Sequence, residues 1–195
     1  MSKNLVLVGP PGAGKGTQAE LLTESLGITH VSTGTIFRDN IKARTELGQL
    51  ALSYISRGNL VPDEVTDSLV RDCLQQDPML AGFLLDGYPR TGEQVISLDN
   101  MLADMDKTLD AVVQIHIPDE EIVARLLKRA EQEDRMDDTE EVIRHRIEVY
   151  HQTTAPLIDI YKQRGILLSV NGLGSVAEVS QRILTALKEF LVSNN

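Results

Sequence analysis

A glycine-rich loop near the N-terminus constrains this chain more than any other feature. Residues 9–17 read Gly-Pro-Pro-Gly-Ala-Gly-Lys-Gly-Thr, directly after the apolar run Leu5-Val6-Leu7-Val8. Four apolar residues followed by glycines indicate a short buried strand that ends in a loop. A periodic apolar pattern from Gln18 to Leu22 predicts a helix after the loop. A strand, a glycine-rich loop and a helix in this order are typical of a phosphate-binding loop.

The chemistry of such a loop follows from its backbone. Glycine allows successive N–H groups to point inward as a nest for an anion, and the helix N-terminus adds its partial positive charge. Lys15 would supply a full positive charge to the outer phosphates. The alternative is an ordinary glycine turn beside one exposed lysine, and the order of the predicted elements argues against it.

The residue after the lysine departs from the general phosphate-loop pattern G-x-x-x-x-G-K-[ST]. Gly16 occupies the hydroxyl position, and Thr17 follows one residue later. In most phosphate-loop proteins that hydroxyl holds Mg²⁺. Its replacement by glycine argues against a generic GTPase or motor ATPase.

Composition limits the kind of partner that the chain can have. Its 195 residues suit one domain, and a formal net charge of −10 argues against binding to nucleic acid. An acidic protein that binds nucleotides must therefore concentrate its arginines at the site. Cys73 is the single cysteine, so we expect neither an intramolecular disulfide nor a multi-cysteine metal site. The N-terminal apolar run is too short for a signal peptide or membrane span, and we expect a soluble cytoplasmic protein.

Strand and helix patterns alternate along the chain. Apolar runs predict strands at residues 5–8, 28–31, 83–86, 111–117 and 166–170. Helical patterns between these runs predict an α/β fold, with a five-stranded parallel sheet flanked by helices and ligands at the carboxyl ends of its strands. Residues 32–61 predict a small helical insertion.

Several local signals predict where helices begin and end. We expect Gly48 to interrupt a helical pattern and Pro156 to kink or divide another. Residues 130–138 are almost wholly polar and predict an exposed connection. Asp138 and Glu141 have capping-box spacing, which predicts a helix start at Asp138.

Asp86 and the arginines are the remaining candidates for phosphate chemistry. Asp86 ends an apolar strand, where phosphate-loop proteins keep a carboxylate for Mg²⁺ or its waters, although an exposed turn aspartate before Gly87 is the alternative. Guanidinium groups suit phosphate contacts, but acidic residues among them also fit a solvated, charge-mixed surface. The arginines near predicted strand exits and the polar connection are Arg38, Arg90, Arg125, Arg129, Arg135, Arg144 and Arg146.

Four motifs together resemble the adenylate kinase family. They are Gly-x-x-Gly-x-Gly-Lys-Gly-Thr-Gln at 9–18, His30-Val31-Ser32-Thr33-Gly34 with Arg38, Asp86-Gly87-Tyr88-Pro89-Arg90, and Arg135-Met136-Asp137-Asp138 with Arg146. They match in order and spacing across nearly the whole chain. The glycine at position 16 is itself a feature of nucleoside monophosphate kinases. Thr35 departs from the family, whose members usually have Asp there, and this affects helix capping rather than a proposed contact.

The resemblance implies transfer of a phosphoryl group from Mg-ATP to AMP, giving two ADP. The implied ATP-binding residues are Gly12, Ala13, Gly14, Lys15, Gly16, Thr17, Arg125, Arg129 and Gly174. The implied AMP-binding residues are Thr33, Arg38, Asn59, Leu60, Val61, Gly87, Tyr88, Pro89, Arg90, Gln94, Arg135 and Arg146. The implied catalytic residues are Lys15, Asp86, Arg90, Arg129, Arg135 and Arg146.

The same resemblance implies a division of one kinase domain, 1–195, into three parts. Residues 1–31, 62–128 and 136–195 would form the core, 32–61 the monophosphate-binding insertion and 129–135 a short lid. Asp86 would hold Mg²⁺ through water. No structural zinc is expected, since the chain has neither the long lid nor the cysteines of relatives that carry one. The implied protein is a monomer with nucleotides as its partners, and with no nucleic acid or membrane.

Three other functions stay open at this point. The first is a UMP/CMP kinase, which Thr33 and Gln94 disfavour because pyrimidine-specific relatives typically have Ala and Asn there. The second is a phosphate-loop regulator or ATPase, which would hydrolyse ATP slowly without AMP. The third is a nucleotide-binding module without catalysis, which the presence of Lys15, Asp86 and the arginines disfavours.

Overall fold

A five-stranded, wholly parallel sheet forms the centre of the molecule. The computed structural model describes residues 3–76, 81–133 and 139–193, without the side chains of 129–133. The strands are β1 (Lys3–Val8), β2 (Thr29–Ser32), β3 (Gly82–Asp86), β4 (Ala111–His116) and β5 (Leu167–Asn171). Their order in the sheet is β2-β3-β1-β4-β5, and every neighbouring pair is parallel. The predicted fold class is therefore confirmed.

Helices connect the strands and cover the sheet. They are α1 (Lys15–Leu26), α2 (Thr33–Lys42), α3 (Glu46–Ile55), α4 (Asp63–Leu74), α5 (Gly92–Ala103), α6 (Asp119–Glu133), α7 (Glu140–Val149), α8 (Leu157–Gln163) and α9 (Val176–Ser193). A π-helical turn, Tyr150–Thr154, lies between α7 and α8, so the predicted break near Pro156 is confirmed. Among the helices of the described ranges, none is long and apolar enough to cross a membrane.

The apolar strand β1 contributes to two separate hydrophobic clusters. Val6 and Val8 pack in one cluster, whereas Leu5 and Leu7 pack in the other, and all four side chains are buried. This division arises because successive side chains of a strand point to opposite faces. Burial on both faces explains why the strand reads as a continuous apolar run, which is typical of parallel sheets.

The position of β1 determines where a ligand can bind. It lies between β3 and β4, so the chain builds one side of the sheet first and then the other. In open parallel sheets, ligands bind in the crevice that forms at the carboxyl ends of the strands where the order reverses. The glycine-rich loop leaves β1 at this edge, and Asp86 ends the neighbouring strand β3 in register with Leu7.

The prediction that Gly48 interrupts a helix is wrong. Helix α3 begins at Glu46, and the hydroxyl of its cap Thr45 accepts a hydrogen bond from the backbone N–H of Gly48 at 3.0 Å. A β-carbon at position 48 would overlap the backbone carbonyl of Asn40, near the end of α2. The glycine therefore permits a close approach of α3 to α2 rather than ending a helix.

Two predicted boundaries near the polar connection also need correction. Helix α6 continues to Glu133, so residues 130–133 are helical, which accords with the helix propensity of alanine, glutamate and glutamine. The cap of α7 is Thr139, whose hydroxyl accepts from the N–H of Val142 at 3.4 Å, and not the predicted Asp138. Asp138 itself lies outside the described residues, with the rest of 134–138.

Candidate active site

The glycine-rich loop joins β1 to α1 and presents the start of that helix. Gly14 occupies the cap position with a φ of 85°, a left-handed conformation that favours glycine. Because glycine has no side chain to cap the first N–H groups of α1, these donors stay available to an anion. The predicted residues Gly12, Ala13, Gly16 and Thr17 lie in this loop or in the first turn of the helix.

The Lys15 side chain folds back over the loop that precedes it. Its Nζ donates hydrogen bonds to the carbonyl oxygens of Gly9 and Pro10, each at 2.8 Å. Lysine carries three donors on a compact point charge, so the same group can hold the loop and contact a phosphate. The loop thus holds a positive charge directly beside the first turn of α1.

Asp86 lies at the carboxyl end of β3 and is only 8% exposed. Its Oδ2 lies 3.9 Å from His30 Nε2, which is longer than a hydrogen bond. Burial acts to raise the pKa of Asp86, but the neighbouring His30 and the positive charges of Lys15 and Arg90 outweigh it and lower the pKa below its usual value. Asp86 is therefore an ionised carboxylate at neutral pH.

Asp86 also faces the position where other phosphate-loop proteins carry a hydroxyl. A β-carbon at Gly16 would lie 4.0 Å from Asp86 Oδ2, which is ordinary van der Waals contact. The loop and the carboxylate are therefore neighbours. Within the parts of the chain that the structure describes, no group of three or more His, Cys, Asp or Glu side chains could hold a metal ion. A single ionised carboxylate fits Mg²⁺, which keeps several waters and binds mainly through substrate phosphates.

One cleft extends from the loop to α2 and the segment after α3. It encloses about 1040 Å³ of space, part of it open to solvent. Its lining includes Lys15 and each predicted AMP-side residue that lies in the described ranges, namely Thr33, Arg38, Asn59, Leu60, Val61, Gly87, Tyr88, Pro89, Arg90, Gln94 and Arg146. Residues from Lys15 to Arg146, far apart in the sequence, thus line the same space.

Three arginines converge in this cleft. Arg38, Arg90 and Arg146 all contribute to its lining, and Arg90 Nε donates to the carbonyl of Gly87 at 2.7 Å. Burial and the positive charge of Arg146 lower the pKa of Arg90, with a further contribution from Arg38, against the opposite effect of Asp86. Guanidinium groups stay protonated at neutral pH even so. An anionic ligand bound among these guanidinium groups would offset their mutual repulsion.

Gly87 allows the close packing of two predicted AMP-side residues. It has a φ of 84°, and a β-carbon there would lie 2.8 Å from Thr33 Oγ1 and 2.9 Å from Arg90 Nη2. The Thr33 hydroxyl donates to the carbonyl of Gly87 at 3.0 Å. A larger residue at position 87 would displace both side chains.

Gln94 is held at both ends of its carboxamide. Its Oε1 accepts from the backbone N–H of Arg90, and its Nε2 donates to Asp63 Oδ1, each at 2.7 Å. An amide has a second N–H and a second oxygen lone pair, which leaves one donor and one acceptor for a ligand. Sequence reasoning missed Asp63 as a site residue, because only its place in the first turn of α4 was visible.

The cleft has further supports that the sequence did not indicate. The Tyr88 hydroxyl donates to Asp67 Oδ1 at 2.6 Å, and burial together with this carboxylate raises the pKa of Tyr88 well above its usual value. The Thr154 hydroxyl, in the π-helical turn, donates to the carbonyl of Arg90 at 3.0 Å. Pro156 was the only local signal near that turn. Pairs this far apart in the chain leave no pattern by which a sequence could reveal them.

The segment between α3 and α4 is joined to α7. Asn59 Oδ1 lies 2.7 Å from Nε2 of His145, and His145 immediately precedes Arg146 in the sequence. Leu60 and Val61 follow Asn59 and line the cleft before α4 begins. The contact therefore brings this segment beside a helix that carries one of the three arginines.

The residues predicted beside the ATP base lie at the exits of β4 and β5. Arg125 Nη2 donates to the carbonyl of Gly172 at 3.2 Å, and its Nε pairs with Glu121 at 2.7 Å. Gly174 follows in the same loop with a φ of 115°. Among the described residues, these two do not line the cleft that contains Lys15. Arg135 and the side chain of Arg129 lie outside the described parts of the chain.

Comparison with known proteins agrees with the motifs. The adenylate kinase family model matches residues 7–166. The adenylate kinase of Thermobifida fusca is 53% identical over 184 residues, which cover 94% of this chain and 97% of the relative. The adenylate kinase of Clavibacter michiganensis subsp. michiganensis is 56% identical over 183 residues, which cover 94% and 92%. That of Leifsonia xyli subsp. xyli is 55% identical over 185 residues, which cover 95% and 93%. On these matches, the chain belongs to the adenylate kinase family.

Proposed function

We propose that this chain transfers a phosphoryl group reversibly from Mg-ATP to AMP and so forms two ADP. The observation that carries the proposal is that Lys15 of the loop lines the same cleft as three arginines, Arg38, Arg90 and Arg146. A phosphate donor on the loop and a phosphate acceptor near the arginines would meet there. Family membership agrees with this activity.

The reaction is a direct in-line transfer. An oxygen of the AMP phosphate attacks the γ-phosphorus of ATP, and the bond from that phosphorus to the bridging oxygen of the leaving ADP breaks. The attacking phosphate is already a nucleophile, so the protein has to align two anions and stabilise the charge that spreads over the transferred group. Cations and N–H groups fixed in place meet both needs.

Each half of the cleft has its own task in this proposal. The loop N–H groups and Lys15 hold the ATP phosphates, and Arg125 with Gly174 lies beside the ATP base. Arg38 and Arg90 hold the AMP phosphate, with Thr33 and Gln94 at the AMP base. Arg129, Arg135 and Arg146 contact the phosphates of both nucleotides. The backbone of residues 59–61 and 87–89 completes the AMP half.

Magnesium fits the donor side of this arrangement. Asp86 would hold it through water, which accords with a buried, ionised carboxylate beside the loop. The bound ion would neutralise part of the charge on the phosphates. Gly16 leaves the space near Asp86 open for the phosphates and their waters.

Water must be kept out, because it would otherwise accept the phosphoryl group and hydrolyse ATP. We assign this to closure of the insertion, residues 32–61, and of a short lid, residues 129–135, over the core formed by the rest of the chain. Each would bring arginines to the phosphates as it closes, and closure would limit turnover. We expect the enzyme to act as a monomer. A cytoplasmic location accords with a substrate pair of free nucleotides.

A coupled assay with ATP and each of AMP, CMP, UMP and GMP tests the proposal. We expect AMP to be strongly preferred and ATP hydrolysis without an acceptor to be slow. A strong preference for CMP would replace the proposal by a UMP/CMP kinase. ATP hydrolysis at the same rate with and without AMP would instead indicate a phosphate-loop ATPase.

A further inference from the structure

Asp63, the first residue of α4, joins that helix to the start of α5. Its Oδ1 accepts from Gln94 Nε2 and its Oδ2 accepts from Thr91 Oγ1, each at 2.7 Å. The two partners lie 31 and 28 residues further along the chain. A carboxylate at a helix N-terminus already interacts favourably with the helix dipole. The two hydrogen bonds are additional to that effect.

These contacts permit only one orientation of the Gln94 carboxamide. A carboxylate accepts hydrogen bonds, so the amide nitrogen has to face Asp63, and the Arg90 backbone N–H donates, so the amide oxygen has to face Arg90. If the amide oxygen and nitrogen of Gln94 exchanged places, the oxygen would face the carboxylate of Asp63, which is also an acceptor. The amide NH2 group would then face the backbone N–H of Arg90, which is also a donor. Gln94 is 2% exposed, so water cannot readily replace the lost partners.

The cap of α5 belongs to the same network. The Thr91 hydroxyl accepts from the backbone N–H of Gln94 at 3.2 Å while it donates to Asp63. Thr91 and Gln94 have capping-box spacing, but the glutamine side chain bonds the N–H of Arg90 and not that of Thr91. Asp63 therefore supports a unit that contains the helix cap, the Arg90 backbone and the Gln94 amide.

We propose that Asp63 is a positioning residue that fixes the Gln94 amide and thereby favours a 6-amino purine over a 6-oxo purine. The inference rests on the proposed function, in which Gln94 contacts the AMP base. A purine with a 6-amino group presents a donor where a 6-oxo purine presents an acceptor. An amide that cannot exchange its two ends can match only one of these two patterns, and under the proposed function the pattern that it matches is that of AMP.

The test compares kinetics with AMP and IMP in three variants. Asp63→Ala removes the acceptor and leaves a buried N–H of Gln94 unpaired, which we expect to raise the KM for AMP about tenfold. The preference for AMP over IMP in kcat/KM should fall by a similar factor. Since the ATP half is untouched, the KM for ATP should stay within about twofold. Asp63→Asn keeps an acceptor oxygen and should restore both quantities to within about threefold of the original chain.

Glu64→Ala is the matched control. Glu64 is an exposed acid in the same first turn of α4, so its loss removes a similar interaction with the helix dipole. It should leave the KM for AMP and the preference unchanged. Should Asp63→Ala fail to fold, Asp63→Ser takes its place, because the short hydroxyl cannot reach both partners.

The outcomes separate this inference from the proposed function. An original chain that does not phosphorylate AMP would overturn the function itself. AMP phosphorylation with an unchanged AMP preference in Asp63→Ala would overturn only the role of Asp63. An equal loss in Asp63→Asn and Asp63→Ala would also contradict it, since charge rather than the hydrogen-bond acceptor would then matter.

Discussion

At the scale of single residues, Lys15 is the clearest test of the proposed site. It is a fixed positive charge at the start of α1, bonded to two carbonyls of its own loop. In Lys15→Ala we expect kcat to fall on the order of 10²-fold or more, because a preorganised charge at the transferring phosphoryl group is lost. Steady-state kinetics with ATP and AMP measure the effect. Arg135→Ala should cause a loss of similar size.

A matched lysine distinguishes this effect from a general loss of charge. Lys162 is exposed in α8 and lies outside the lining of the cleft. Lys162→Ala should keep kcat within about twofold, since long-range charges at the surface are screened by salt. Near-normal turnover in Lys15→Ala would contradict the role given to this lysine.

Site residues that belong to local motifs were predictable from the sequence. The residues that hold them in place by hydrogen bonds were not. Lys15, Asp86 and Arg90 follow strands in recognisable spacing, so sequence placed them at one edge of a sheet. Asp63 gave no such signal, because an acidic residue in a first helical turn is ordinary. Its partner Gln94 is 31 residues away, and only the packing of α4 against α5 brings the two together.

At the scale of elements, helix propensity alone would give the wrong sign for the effect of a substitution at Gly48 on stability. Alanine forms helices better than glycine by about 1 kcal/mol, so Gly48→Ala in α3 would stabilise an isolated helix. In the folded protein the added carbon would overlap the backbone of Asn40. We expect a loss of about 1–3 kcal/mol in the free energy of unfolding, measured with urea, because backbone must shift.

Gly92, the first residue of α5, is the control for this substitution. A β-carbon there meets no atom of the described chain within 4 Å. Gly92→Ala should therefore leave the free energy of unfolding unchanged or raise it by a few tenths of a kcal/mol. An equal effect of the two substitutions would mean that the α2–α3 contact can relax at little cost.

Elements whose signals are local were predicted well, and boundaries decided by tertiary contact were not. The five apolar runs became the five strands, and the helix break predicted near Pro156 is the π-helical turn before α8. The prediction that Gly48 interrupts a helix is wrong because glycine occurs both where helices break and where two chain segments approach closely. The sequence alone does not distinguish these two roles. Asp138 and Thr139 are both good caps, so the choice between them depended on geometry.

At the scale of the whole molecule, the net charge and the cleft have opposite signs. The chain carries −10 overall, yet Lys15, Arg38, Arg90 and Arg146 line one space. Excess negative charge repels itself and favours expansion of the chain, whereas the local positive charge attracts the AMP dianion. Salt screens both interactions. Stability and substrate binding should therefore respond to ionic strength in opposite directions.

Raising the ionic strength from about 0.01 M to about 0.15 M, at constant free Mg²⁺, should raise the melting temperature and increase the KM for AMP several-fold. Arg38→Gln removes one cation of the cleft, so it should raise the KM at low salt and flatten its dependence on salt. Arg164→Gln makes the same change of charge at a surface pair, where Arg164 bonds Asp99 at 2.9 and 2.7 Å. It should leave the salt dependence of the KM as in the original chain. Equal slopes in the two variants would mean that net charge, and not the cleft, governs the capture of AMP.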